Sequence, residues 1–289
     1  TQGVLTMKIA ITAESTIDLP KSLLTEFGIR TLPFSLVMGE KQVLDGEVNS
    51  DDLYAFVAET GKLPMTAALI DYQYEEFFRD VLKDFDAVVH FSLSSKISAA
   101  CSNATRVSHE EEFEGKVFVI DTLSLSTGIA LLAIRGAKLA EQGATPEEIV
   151  KDIETARTKD QTSFVIETLD YLYKGGRCSK LALFGANLMK IKPQILMING
   201  GMGPGKKYTG NIEKAIHKYV EDILKQFPNA DLDLVFVTHT LQKDKRFIAE
   251  DVAKRMREFG FKRVEITHAG GTISCHCGPN TLGILYLTK

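Results

Sequence analysis

The chain has 289 residues, 44% of them hydrophobic and 25% charged, an ordinary globular composition that argues against disorder. Lysine plus arginine (34) against aspartate plus glutamate (38) gives a formal charge of −4 with no basic block, so nucleic-acid binding is not indicated. No apolar run approaches the ~20 residues of a membrane span, and the length suits about two domains of ~150 residues.

Four scattered cysteines (Cys101, Cys178, Cys275 and Cys277) fit a reduced, cytoplasmic protein better than a disulfide framework. Thr1–Thr6 reads as an uninformative tail before a natural start at Met7, with no signal peptide. Lys8 to Thr12 is a short apolar strand. In the Glu14-Ser15-Thr16-Ile17-Asp18-Leu19-Pro20 stretch that follows, Ser15 or Thr16 can cap a helix over Pro20–Phe27, closed by Gly28. Ile29 to Met38 alternates as a second strand. Ser50-Asp51-Asp52 caps the next helix, and Tyr74 to Phe85 forms another, with Phe77, Phe78, Val81 and Leu82 on one face. Ala87–Phe91 and Val117–Ile120 are continuous apolar runs of the kind buried parallel strands show, and a long helix spans Ser126 to Gln142. Strands alternating with helices imply a mostly parallel sheet covered on both faces.

Ligands of such folds sit beyond the carboxyl ends of the strands. Three loops stand there: Glu14-Ser15-Thr16, the serine loop Ser92 to Ser98, and Asp121-Thr122 with Ser124 and Ser126 behind it. The serine loop leads into a helix through Cys101 and Ala104, and a helix start with hydroxyl donors suits an anion. Ser94 and Ser98 serve equally as plain helix caps. There is no Gly-x-Ser-x-Gly elbow, so a serine hydrolase is not favoured.

A capped helix starts at Thr145-Pro146-Glu147-Glu148 and ends by Lys159, and Asp160-Gln161 marks the domain boundary, giving units 7–160 and 161–289. An apolar run at Phe164-Val165-Ile166 leads to a Gly175-Gly176 break that carries a lone cation, Arg177. A helix is predicted from Ser179 through Leu181, Phe184 and Leu188, ending at Pro193, with a strand over Gln194–Ile198. Gly200 to Lys206 has Gly-x4-Gly-Lys spacing, but Lys207 replaces the expected Ser or Thr and Pro204 removes an amide. A hairpin turn is therefore preferred to a phosphate loop. A helix over Asn211–Phe227, a strand over Leu232–Thr238, a charged helix over Lys243–Phe259 and strands at Val264–His268 and Ile284–Leu287 complete the chain. Cys275-His276-Cys277 suggests zinc, but alternate residues of a strand would face opposite ways and no second ligand pair is evident. No metal or other cofactor is expected.

Several stretches resemble the DegV family of bacterial fatty-acid-binding proteins. Lys174-Gly175-Gly176-Arg177, followed by a short helix and Ile191-Lys192-Pro193, is similar to a family signature. Glu14 to Pro20 resembles the family's Asp-Ser-Thr-x-Asp-Leu-Pro, with Glu14 in place of Asp. Leu63-Pro64-Met65-Thr66 is similar to its Pro-x-Thr-Ser-Gln loop, with Ala67 and Ala68 substituted. Ser94 to Ser98 matches Ser-Ser-x-Leu-Ser, with Ala99, Ala100 and Cys101 where Gly-Thr-Tyr is usual. Asp121 to Gly128 is close to Asp-Ser-x-Ser-x-Ser-x-Gly, and Gly271 to Pro279 resembles the stretch around the family histidine, here His276 between two cysteines.

The resemblance implies two α/β domains, the first with a mostly parallel sheet and the second with a mixed sheet, and a fatty acid between them with its tail in an apolar tunnel. Thr66 and Ser98 would bind the carboxylate, with Arg177 and His276 completing the network. Ser15, Ser94, Ser95, Thr122 and Ser126 are candidates for a second pocket. The resemblance also implies a partner, an ATP-dependent kinase subunit that makes the acyl phosphate, leaving this chain a carrier. The alternative is an enzyme of the dihydroxyacetone-kinase-like fold acting on a hydroxylated substrate, with His276 or His239 holding it. Substitutions around the head leave ligand choice open.

Overall fold

The computed structural model describes residues 7–177 and 191–289. The tail before Met7, Cys178 and the helix predicted from Ser179 lie outside the described residues. Strand β1 (Ile9–Glu14) runs into a 3-10 turn over Ser15–Ile17 and helix α1 (Lys21–Glu26). Neither Ser15 nor Thr16 caps α1, which starts after Pro20; the Ser15 hydroxyl is held by Asp45 instead. The single strand expected over Ile29–Met38 is two, β2 (Ile29–Leu32) and β3 (Ser35–Met38). Pro33, which has no N–H to give a ladder, stands where the chain leaves one sheet for another.

Strand β4 (Lys41–Leu44) leads to α2 (Ser50–Thr60), capped by Asn49 in a reciprocal box with Asp52 rather than by Ser50. Next come β5 (Met65–Ala67), α3 (Asp71–Val81), β6 (Ala87–Ser92), α4 (Ala100–Ser108), β7 (Val117–Asp121), α5 (Thr127–Glu141) and α6 (Pro146–Ala156). Then follow β8 (Asp160–Val165), α7 (Asp170–Lys174), β9 (Ile191–Ile198), β10 (Gly201–Thr209), α8 (Ile212–Leu224), β11 (Ala230–His239), α9 (Phe247–Phe259), β12 (Arg263–His268), α10 (Gly271–Cys277) and β13 (Leu282–Thr288). Gly201–Lys206 is not the hairpin turn expected from the sequence but part of the hairpin's second strand, β10, with the turn at Asn199–Gly200; it is no strand–loop–helix phosphate cradle either.

The first sheet is parallel, in the order β2-β1-β6-β7. The largest is mixed, in the order β10-β9-β8-β13-β11-β12, with β11 and β12 its parallel pair. A small antiparallel sheet, β4-β3-β5, was not anticipated; its strands are short and β4 is largely exposed, so neither apolar runs nor alternation announce it.

Helix α5 organises the interior. Ten of its residues are buried, including Ile129, Leu132 and Ile134, and a helix apolar on all sides belongs inside a protein. A Cβ on Gly136 would meet the Phe91 ring of β6 at 2.6 Å, and one on Gly128 would meet Thr162 Oγ1 of β8 at 2.3 Å. The two glycines thus let α5 lie close to both larger sheets. On β6, Phe91 faces α5 while its neighbour His90 meets Phe78 of α3, so the parallel sheet is covered on both faces.

Candidate functional site

Between the two larger sheets and α10 lies a cavity whose empty space, open mouth included, is about 850 Å³. Phe34, Leu93, Leu125, Phe164, Met202 and Leu285 give it an apolar lining drawn from both halves of the chain. The polar residues on its wall are largely committed elsewhere. Thr238 shares hydrogen bonds with Thr127 and Thr267, Thr240 donates to the Gly278 carbonyl, and Ser126 donates to Asp18.

Four polar residues on the wall form a group of their own. Thr66 Oγ1 on β5 is 2.9 Å from His276 Nε2 on α10. Arg177, on the turn after α7, lies near enough to His276 to disfavour its protonation. Its Nε donates to the Ile97 carbonyl at 3.4 Å, which puts it beside Ser98. Ser98 precedes α4, which begins at Ala100 after an N-cap position, Ala99, that has no capping side chain of its own. The Ser98 Oγ accepts the Ala100 N–H at 3.2 Å. Arg177 is exposed, and with Ser98, Ile97 and Met202 it lines both the cavity and a surface cleft outside it. These residues therefore form the rim.

The sequence stretch around His276 is helical, not a strand. Its backbone is recruited by carboxylates from the first half of the chain: Gly270 N donates to Asp18, while Gly271 N and Thr272 N donate to Asp45. That long-range capture overrides a β-branched, glycine-rich sequence that favours no helix. It also aims His276 into the cavity. Burial and then Arg177 push His276 down to about 4, so its imidazole is neutral at physiological pH. Nδ1 is buried and has no partner among the described residues.

Residues 8–289 match the family described as "Uncharacterised protein, DegV family". The chain belongs to the DegV family. A fatty acid-binding protein of Thermotoga maritima is 30% identical over 286 residues, 96% of each chain. A solved Thermotoga maritima structure described as revealing fatty acid binding function is 26% identical, with a TM-score of 0.82 over 98% of this chain and 100% of that one. A DegV family protein of Thermus thermophilus, 24% identical, shares the fold with a TM-score of 0.88 over 98% and 100% of the two chains.

For this DegV protein, Thr66, Ser98, Arg177 and His276 are brought together as the sequence suggested. The residues offered for a second pocket are not. Ser126 lines the main cavity, but Ser15 is bound to Asp45, and the Ser94 hydroxyl donates to the Gly200 carbonyl at 2.6 Å, tying the serine loop to the β9–β10 turn. Thr122 donates to the Ser92 carbonyl, and Ser95 is exposed on the outer cleft. Of the positions that depart from the family pattern, Ala68 and Cys277 line the cavity, Ala99 lines the outer cleft, and Ala100 and Cys275 are core residues. Ala67 is exposed. Burial pushes the Cys275 and Cys277 thiols up to about 12, which leaves them protonated and poor metal ligands or nucleophiles. Sequence reasoning missed Asp18, Asp45 and Gly175. Each acts through a partner far away in the chain, which no local pattern reveals.

Proposed function

We propose that this protein binds a long-chain fatty acid non-covalently between its two units, taken as residues 7–160 and 161–289. It then presents the carboxylate to a separate ATP-dependent kinase subunit, which forms the acyl phosphate. One observation carries the reading: an apolar cavity with the polar side chains of Thr66, Ser98, Arg177 and His276 grouped on one part of its wall, next to the opening that Ser98 and Arg177 share with the outer cleft. A chain of methylenes with a single charged end has that same division. The named functions of the Thermotoga maritima relatives support it.

Each methylene taken from water contributes ~0.8 kcal/mol, so a long tail supplies roughly 10 kcal/mol before binding costs. A hydrogen bond to the charged head adds ~1.5–3 kcal/mol. Tail burial therefore dominates affinity, and the head site fixes orientation. Arg177 at the open rim keeps the carboxylate near solvent, where a second protein can reach it. In this reading the chain is a cytoplasmic carrier and not itself an enzyme, and the buried, unpaired thiols of Cys101, Cys275 and Cys277 suit that compartment.

Mass spectrometry of an organic extract of the native protein is the direct test, with stoichiometric long-chain fatty acid expected. Finding none, together with no uptake of added oleate or palmitate, refutes the binding role. If lipid binds but no bacterial fatty acid kinase accepts it from this chain, the presentation role fails.

A further inference from the structure

We propose that Gly175 is a positioning residue that sets the hydrogen-bond polarity of the head site. By seating the His276 ring against its bare Cα, it leaves Thr66 as a donor and makes the site select an ionised carboxylate over head groups that bring their own proton. This deepens the fatty-acid reading and rests on it.

Gly175 has φ −75° and ψ −4°, a right-handed conformation open to any residue. Its identity therefore has a steric reason rather than a backbone one. A Cβ placed there would stand 2.4 Å from His276 Nδ1, a contact real side chains essentially never make, and a tight 3.0 Å from Cε1. The close approach goes with a buried Nδ1 that has no partner among the described residues. The imidazole is neutral at physiological pH, so one nitrogen carries the single proton.

A proton on Nδ1 would be a buried donor without an acceptor among the described residues, and buried polar groups left so are rare in folded proteins. Placed on Nε2, the proton is donated to Thr66 Oγ1 across the observed 2.9 Å, and only a lone pair is left unused on Nδ1. Thr66 then accepts from His276 and has its own hydroxyl proton free for the cavity. Ser98 is in the same condition, because its oxygen already accepts the Ala100 N–H. Arg177, whose Nη1 donates to the Gly175 carbonyl at 2.6 Å, adds further donors. One turn residue thus touches both the cation and the imidazole of a site that offers donors throughout. A carboxylate, which is charged and only accepts, can take these donors and the Arg177 cation together, whereas an uncharged alcohol takes fewer of them and must also place its own proton on a remaining hydroxyl lone pair.

The experiment has two arms. Nitrogen-15 NMR of the wild-type imidazoles should show His276 as the Nε2–H tautomer, and an Nδ1–H tautomer overturns the proposal without any variant. Affinities for oleate and oleyl alcohol are then compared in the delipidated wild type, G175A, H276A and G175A/H276A. G175A should lose roughly ten- to a hundredfold of the preference for oleate, as one displaced charge-assisted bond implies, and should leave alcohol affinity unchanged. On the H276A background it should do nothing more. Equal weakening of both ligands, or a full G175A effect without the imidazole, overturns the positioning role. A wild type that binds neither ligand refutes the fatty-acid reading itself, which a lost preference alone does not.

Discussion

Two polar clusters, each built around a histidine, differ in how completely they are satisfied. At the end of β1, Glu14 has no exposed surface, yet its Oε1 accepts from Tyr74 (2.7 Å), Ser92 (2.6 Å) and His90 Nε2 (3.1 Å), and Oε2 accepts from Leu93 N (2.9 Å). His90 Nδ1 meets Thr12 Oγ1 at 2.9 Å, so both ring nitrogens are engaged. Burial alone would raise the Glu14 carboxyl, but the charge of His90 and the bonds from His90, Ser92 and Tyr74 hold it below its usual range. On the wall of the cavity, by contrast, His276 has one hydrogen-bond partner among the described residues, Thr66, and the Nδ1 opposite has none there. A closed network holds a fold together, and an open one beside an apolar cavity holds room for a ligand.

The largest effect should come from breaking the closed cluster. Glu14→Ala strands three hydrogen-bond donors and a buried histidine, and removing one member of a buried pair typically costs ~3–5 kcal/mol. Urea denaturation should show that loss, with fatty-acid binding intact wherever the variant is folded. A variant of unchanged stability would mean that the network is not what fastens α3 to the parallel sheet. The open cluster should respond in reverse. Thr66→Ala/Ser98→Ala removes two donors to a carboxylate, a few kcal/mol of affinity at about 1.5–3 kcal/mol each, while the tail stays buried. Fatty acid should bind more weakly, and acyl-phosphate formation with the kinase should fail. A lowered melting temperature with unchanged affinity and unchanged acyl phosphate would make both residues structural and refute the carboxylate assignment.

The same contrast explains what could be read from the chain alone. The parallel strands at Ala87 and Val117 announce themselves as continuous apolar runs, and the head residues sit in short, recognisable stretches around Thr66, Ser98, Arg177 and His276. Less legible was whatever depends on contacts across the chain. The helix at Gly271–Cys277 forms because Asp18 and Asp45, over 220 residues earlier, take its first amides. Pro33 divides what alternation alone presents as one strand. Ser15, Ser94 and Thr122 have the hydroxyls of a binding loop, but their partners (Asp45, Gly200 and Ser92) show that those hydroxyls are already spent. Residue type signals capacity, and only the partner shows whether it is used.

Arg177 tests the open cluster at its exposed edge. Its guanidinium donates to the Ile97 and Gly175 carbonyls and makes no ion pair among the described residues, so Arg177→Ala should barely alter thermal melting. Fatty-acid affinity should fall less than in the Thr66/Ser98 double variant, because the tail is untouched. Acyl-phosphate yield with the kinase should drop by more than affinity does, since the lost cation is the group nearest the solvent. Equal yield in the reconstituted pair would remove Arg177 from the presenting surface.

The smallest expected effect is a dependence on pH. His276 is pushed down to about 4 from an ordinary value near 6.5, so in this range the unfolded chain binds the proton that the folded chain refuses. Its contribution to stability is therefore intact above about 6.5, declines as pH falls toward 4, and levels off below that. His239, pushed down to about 3 by burial and His268, acts in the same direction, whereas Asp160, raised to about 6 by burial, acts in the opposite one. A single pH profile would mix these groups, and the difference between wild type and His276→Asn separates them. That difference should change across pH 4 to 6.5 and be flat above it. Bound fatty acid should shrink the change, because a carboxylate beside the ring favours the imidazolium and raises the pH at which His276 takes up its proton. A difference that is flat throughout, or one that ligand leaves untouched, would place His276 away from the head of the bound molecule.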